Sequence, residues 1–140
     1  MASDAVFADA SFFFALAAKR DVAHASAASQ FAALLQRQRR IVTTDYVIDE
    51  ALTLTKARTR AHIALQLLDR IETSAAIAVE SIHTTRFETA KAFFRKHADH
   101  DYSFTDCTSF VVMRELKITD ALTTDGHFAE AGFRPLLPLA

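Results

Sequence analysis

Short apolar runs alternate with longer stretches of helical periodicity along the whole chain. Ala5-Val6-Phe7-Ala8 reads as a buried strand, ended by Asp9 and followed by a helix starting at Ser11. Residues 22–38 are rich in alanine, a strong helix former. Ala25, Ala28, Ala32 and Leu35 share one face, with Phe31 beside them. Ile41-Val42-Thr43 is a second short strand, after which Thr44 or Asp45 caps a helix carrying Val47, Ala51 and Leu54. The next helix covers 60–72, with Ile63, Leu67 and Ile71 as its stripe. Residues 76–82 form a third strand, 84–97 and 104–117 two more helices, and 119–124 a fourth strand. A short helix around Phe128 and a last strand over 133–137 complete the pattern.

This alternation predicts one α/β domain over residues 1–140 with a mainly parallel sheet. Ligands in such sheets gather at the carboxyl ends of the strands, so the polar residues there carry the functional question.

Composition narrows the chemistry. With 51% hydrophobic residues and a net charge of -1, the chain is not disordered. Its two glycines, Gly126 and Gly132, exclude both the dinucleotide loop and the P-loop, which need several glycines at fixed spacing. Cys107 stands alone, so neither an internal disulfide nor a cysteine-based zinc site is expected. The apolar stretch 5–18 has Asp4 before it and Asp9 within it, unlike a signal peptide. No charge-free run approaches the ~20 residues that span a membrane, and the expected location is cytoplasmic. Basic residues cluster locally despite the near-neutral total: Arg37, Arg39 and Arg40, then Lys56, Arg58 and Arg60, then Arg95 and Lys96. Cations at helix ends complement the helix dipole, which is the ordinary reading of such clusters.

Four acids fall at strand ends or in the first turns that follow. Asp9 ends the first strand, Asp125 the fourth, Asp106 opens the helix after Ser103, and Glu50 lies early in the helix after the second strand. Each has a structural reading. Ser103-Phe-Thr-Asp106 has the spacing of a capping box, Asp125 could cap the short helix after it, and Glu50 could be exposed. Asp9 and Asp106, however, are embedded in apolar sequence, where an unpaired carboxylate is costly and several together repel. A divalent cation resolves both problems, and oxygen-only ligands suit Mg²⁺ or Mn²⁺. Asp45, Asp49 and Asp101 are further acids nearby, with Asp49 about 100° away from Glu50 around its helix.

The segments Asp9-Ala-Ser-Phe-Phe-Phe-Ala-Leu16, Thr43-Thr-Asp-Tyr-Val-Ile-Asp-Glu50, Tyr102-Ser-Phe-Thr-Asp-Cys-Thr-Ser-Phe110 and Leu122-Thr-Thr-Asp-Gly-His-Phe128 resemble PIN-domain ribonucleases. They look most like the VapC-type toxins of toxin–antitoxin pairs, in the right order from about residue 5 to 137. The resemblance implies a three-layer α/β/α sandwich around a parallel sheet of order 3-2-1-4-5. It also implies a catalytic and metal-binding set of Asp9, Glu50, Asp106 and Asp125, with Ser11 and Thr105 as supporting hydroxyls.

The implied reaction is Mg²⁺-dependent hydrolysis of RNA phosphodiesters, with Mn²⁺ as a possible substitute, leaving 5′-phosphate and 3′-hydroxyl ends. Arg37, Arg39, Arg40, Lys56, Arg58 and Arg60 would then contact the RNA backbone. Implied partners are a cognate antitoxin protein and a second copy in a homodimer. The helices over 45–58 and 60–72 offer apolar positions for a groove that takes a partner helix, although Leu54, Ile63 and Leu67 also fit an ordinary core. The alternative function is a non-catalytic PIN-like module that acts by binding RNA or protein. A haloacid-dehalogenase phosphatase would need an acid at Ser11, and the signature of a response-regulator receiver is not clear.

Overall fold

The three residues of β1 (Val6–Ala8) have no access to solvent, as expected of a strand covered on both faces. In the computed structural model, which describes residues 3–140, β1 is the middle strand of a five-stranded sheet of order β3-β2-β1-β4-β5. The others are β2 (Ile41–Thr44), β3 (Ile77–Glu80), β4 (Asp120–Leu122) and β5 (Arg134–Pro135). All four ladders are parallel. Among the described residues seven helices flank the sheet: α1 (Ala10–Ala17), α2 (His24–Gln36), α3 (Asp45–Arg58), α4 (Ala61–Thr73), α5 (Thr84–Lys96), α6 (Phe104–Glu115) and α7 (Gly126–Glu130). This is the α/β/α sandwich and the strand order expected above.

Parallel pairing from β2 through β1 to β4 puts the carboxyl ends of these strands along one edge, which gathers the acids there. The core beneath is aromatic. Phe110 of α6 stands edge-on to Phe128 at 5.0 Å between ring centroids, and Phe7 of β1 lies 6.4 Å from Phe128. Every residue of α6 from Asp106 to Met113 is buried, so the helix is held on several sides and Asp106 is fixed with it. Beyond α7, Gly132 takes φ 99°, and Phe133 N–H then bonds back to the Phe128 carbonyl at 2.9 Å. This positive-φ turn after a helix suits glycine, which has no Cβ to clash.

Two expectations are corrected. The inward face of α2 carries Ala27, Phe31 and Leu34, whereas Ala25 and Ala32 are exposed and Leu35 is 43% exposed. Alanines occur all round this helix and carry little directional information; Phe31, edge-on to Phe12 at 6.2 Å, sets the rotation. Ser11 does not start α1. The helix begins at Ala10 with Asp9 in the N-cap position, where its side chain makes no capping bond.

One buried cation ties together β3, α5 and α6. Arg86 is 7% exposed, donates to Glu115 Oε1 at 3.1 Å and to the Ser81 carbonyl at 2.9 Å, and pairs with Glu80 at 2.8 Å. Arg86→Met strands two carboxylates and an acceptor, and should cost about 3 kcal/mol of stability. Urea unfolding checks this; a change in midpoint within error would make the staple decorative.

Candidate active site

Asp9 emerges from β1 only 4% exposed, with its N–H bonded to the Leu122 carbonyl of β4 at 3.1 Å. Its Oδ2 accepts from Ser11 Oγ and from Thr123 Oγ1, each at 2.9 Å. The same hydroxyls in turn accept backbone protons: Thr124 N–H donates to Ser11 Oγ and Asp125 N–H to Thr123 Oγ1, both at 3.0 Å. The ends of β1 and β4 are thereby sewn together around one carboxylate. Thr123→Val removes a donor to Asp9 and leaves the Asp125 N–H without this acceptor. Metal affinity should fall about 10–100-fold, measured by calorimetric titration. Unchanged affinity would show that the network does not orient Asp9.

Asp106 holds both of its possible readings at once. It closes a capping box with Ser103, accepting the Ser103 N–H on Oδ2 at 3.1 Å, yet it also lines a cleft of about 360 Å³. Asp125 likewise caps α7, taking the His127 N–H on Oδ1 at 2.9 Å, and lines the same cleft. Glu50 enters from the second turn of α3. Asp9, Glu50, Asp106 and Asp125 therefore converge, and Asp101 joins them on the rim. Asp49 is exposed and outside the lining, while Asp45 accepts the Ile82 N–H at 3.0 Å.

The carboxyls suffer from this arrangement. Burial, followed by the neighbouring charges of Asp9, Asp106 and Asp125, pushes Glu50 up to about 7. Burial and the Asp9 charge push Asp106 up to about 6. Burial raises Asp9 as well, against the lowering pull of its two hydroxyl donors. Among the described residues no lysine or arginine lines the cleft. Five carboxyls with no lysine or arginine among them form a donor set that fits a divalent cation.

The supporting and basic residues divide. Ser11 lines the cleft, as expected; Thr105 does not, and its carbonyl accepts the Thr108 hydroxyl at 2.6 Å. The hydroxyl that holds an acid at this edge is that of Thr123, which donates to Asp9, whereas the resemblance implied Thr105. Arg37, Arg39 and Arg40 immediately precede β2 and so lie at the amino edge of the sheet, opposite the acids. Arg39 is engaged there: its Nε donates to the Asp4 carbonyl at 2.7 Å and its Nη2 lies 3.5 Å from Asp120. Strand polarity therefore sets this cluster apart from the acidic cleft. Arg58 remains a candidate RNA contact, because Glu50, Leu54 and Arg58 share one face of α3 at four-residue steps and Leu54 lines the cleft. Lys56 faces a different groove and Arg60 occupies the N-cap position of α4.

Sequence reading gave no role to His127. Its Nδ1 lies 3.5 Å from Asp106 Oδ2 and 3.3 Å from Asp125 Oδ1. The only signal was its place two residues after an acid already singled out.

The PIN domain pattern matches residues 6–134. The chain belongs to the PIN-domain family. A relative of this PIN domain, VapC20 of Mycobacterium tuberculosis, is described as a 23S rRNA-specific endonuclease. It is 33% identical over 133 residues, covering 95% of this chain and 98% of VapC20, in each of two strains. The crystal structure of VapC20, described as a sarcin–ricin loop cleaving toxin, superposes with a TM-score of 0.85 at 31% identity. That match covers 96% of this PIN domain and 100% of the VapC20 chain.

Proposed function

We propose that the chain is a metal-dependent endoribonuclease and the toxin of a type II toxin–antitoxin module, with residues 1–140 forming one PIN-like unit. The observation that carries this reading is the convergence of Asp9, Glu50, Asp106 and Asp125 in one cleft that no described lysine or arginine lines. These four acids are the catalytic and metal-holding set. A bound Mg²⁺ or Mn²⁺ ion supplies Lewis-acid charge for the scissile phosphate and lowers the pKa of a water molecule.

The chain's own residues do the rest. Ser11 and Thr123 orient Asp9, the Ser103 backbone orients Asp106, and the start of α7 orients Asp125. Asp101 on the rim repels RNA phosphate from the acid-rich wall unless charge there is neutralised. Arg58 offers a cation on the α3 side, with its guanidinium over the Phe14 ring at 5.7 Å.

The likeness to VapC20 over nearly the full length of both chains makes structured ribosomal RNA the first substrate to try. Purified protein should cut 23S rRNA in the presence of Mg²⁺, leaving 5′-phosphate and 3′-hydroxyl ends; intact rRNA beside cleavage of another RNA pool would reassign the target. Arg58→Ala should raise KM about tenfold and lower the salt slope of binding by about one, while Arg37→Ala changes neither. Equal effects of the two substitutions would put RNA elsewhere.

An antitoxin has a place to dock. Leu52, Ala61, Ala64, Leu65 and Leu68 line an apolar groove of about 330 Å³ between α3 and α4, with Lys56 at its edge and Leu65 61% exposed. The groove lies where the helical pattern placed it, although its lining omits Leu54, Ile63 and Leu67: Leu54 lines the acidic cleft and Leu67 is in the core. A homodimer and a cytoplasmic location complete the proposal and rest on the family likeness. Among the described residues no helix is long and apolar enough to cross a membrane.

A further inference from the structure

His127 Nδ1 is sealed from solvent and has no hydrogen-bond partner, although two carboxylate oxygens stand beside it. A buried nitrogen in that condition forfeits its interactions with water and gains nothing in return, which native structures rarely tolerate without a reason. Neither carboxylate contact meets hydrogen-bond geometry, although both oxygens are within 3.5 Å of the nitrogen. Donors that share one ion have this relation. With bonds of ~2.1 Å and octahedral to tetrahedral angles, neighbouring donor atoms are ~3.0–3.4 Å apart and off each other's lone-pair axes. The distances from Nδ1 to Asp125 and Asp106 are 3.3 and 3.5 Å, and the three donor atoms all lie within 4.8 Å of one another.

The ring is also held in place. The His127 N–H bonds to Asp125 Oδ1 at 2.9 Å, so backbone and ring converge on the same carboxylate. Tyr102 stands edge-on to the imidazole at 5.7 Å, and Phe128, the next residue, is anchored in the aromatic core. A ligand needs this fixed approach more than it needs length or flexibility.

We propose that His127 Nδ1 is a ligand, with Asp106 and Asp125, of the divalent ion bound in this cleft. The proposal rests on the metal-dependent reading above and deepens it. An imidazole nitrogen among carboxylate oxygens alters which ion the site prefers. Mg²⁺ is hard and keeps to oxygen, whereas Mn²⁺ and later first-row ions accept imidazole readily. The site therefore favours Mn²⁺ over Mg²⁺ by more than an all-carboxylate cleft would.

The test is pulse electron paramagnetic resonance of the full chain loaded with one equivalent of Mn²⁺, with metal affinities measured in parallel by competition. Wild type should show nitrogen modulation from a directly bound imidazole. His127→Gln should lose it and bind Mn²⁺ about tenfold more weakly or worse, while its Mg²⁺ affinity changes far less. His100→Gln, altered outside the cleft, should keep both. Bound Mn²⁺ without nitrogen modulation in wild type would overturn the assignment of His127 and leave the carboxylate site standing. Modulation that survives in His127→Gln would overturn it equally. No binding of Mn²⁺ by wild type would overturn the metal-dependent reading itself. Because the first contrary result is read on the wild-type protein, it does not depend on the variant folding.

Discussion

Asp9→Asn is expected to lower RNA cleavage about a thousandfold, equivalent to ~4 kcal/mol of transition-state stabilisation, while the fold survives. The amide oxygen of asparagine can still accept from Ser11 and Thr123, so the seam between β1 and β4 stays closed. What disappears is a buried negative charge in the middle of a cleft with no lysine or arginine in its lining. Burial already raises the Asp9 pKa, so the neutral side chain should be at least as stable as the native one in metal-free protein. Activity and stability should therefore move in opposite directions, as is common when a functional site holds unfavourable charge. Single-turnover cleavage and thermal melting on the same preparations check both. A variant that loses both activity and stability would make Asp9 a structural residue.

Metal-free protein should melt at a higher temperature at pH 5.5 than at pH 7.5, by roughly 5 °C. The sign follows from the raised carboxyls. Glu50 at about 7 and Asp106 at about 6 hold protons in the folded chain that they release in the unfolded one. Between the ordinary carboxylate range and those values the native state binds more protons, so stability falls as pH rises. Glu115 and Asp120 act oppositely: their pairing with Arg86 and Arg134 holds them low, and that stabilisation is lost only in stronger acid. The metal-free optimum thus lies on the acid side of neutral. Divalent metal added at pH 7.5 should reverse the trend by binding the ionised cluster, and its affinity should weaken as pH drops through 7 towards 6. A metal-free melting temperature that is flat or rising from pH 5.5 to 7.5 would contradict the mutual repulsion of these acids.

The central strands were legible because β1 and β2 open on short apolar runs, and Asp9 and Asp125 were legible because they follow strand ends, whereas Glu50 and Asp106 sit in the early turns of helices. Strand ends are harder to read. β5 is shorter than the run over 133–137, because past the Leu136 N–H bond to the Ala121 carbonyl the chain leaves the ladder and Leu137 serves as core filler. The rotation of α2 is not written in its alanines, because alanine fits an exposed and a buried position almost equally well.

Arg37, Arg39 and Arg40 lie away from the acids for a reason the sequence does contain. Residues just before a strand of a parallel sheet lie at the opposite edge from those just after it, and polarity outweighs nearness along the chain. Thr123 escaped notice because a threonine at a strand end looks like an ordinary β-former. Only the approach of β1 to β4 reveals that its hydroxyl meets an aspartate 114 residues away. His127 is similar: beside Asp125 in sequence, it acquires meaning from Asp106, which another element delivers.

The most direct measurement is cleavage of 23S rRNA by one preparation in three successive conditions: with Mn²⁺, after excess chelator, and after Mn²⁺ is restored. Cleavage should appear, stop and return, and Asp106→Asn should stay inactive throughout. Cleavage that persists in chelator, or that Asp106→Asn performs equally well, would contradict a nuclease built on these carboxylates.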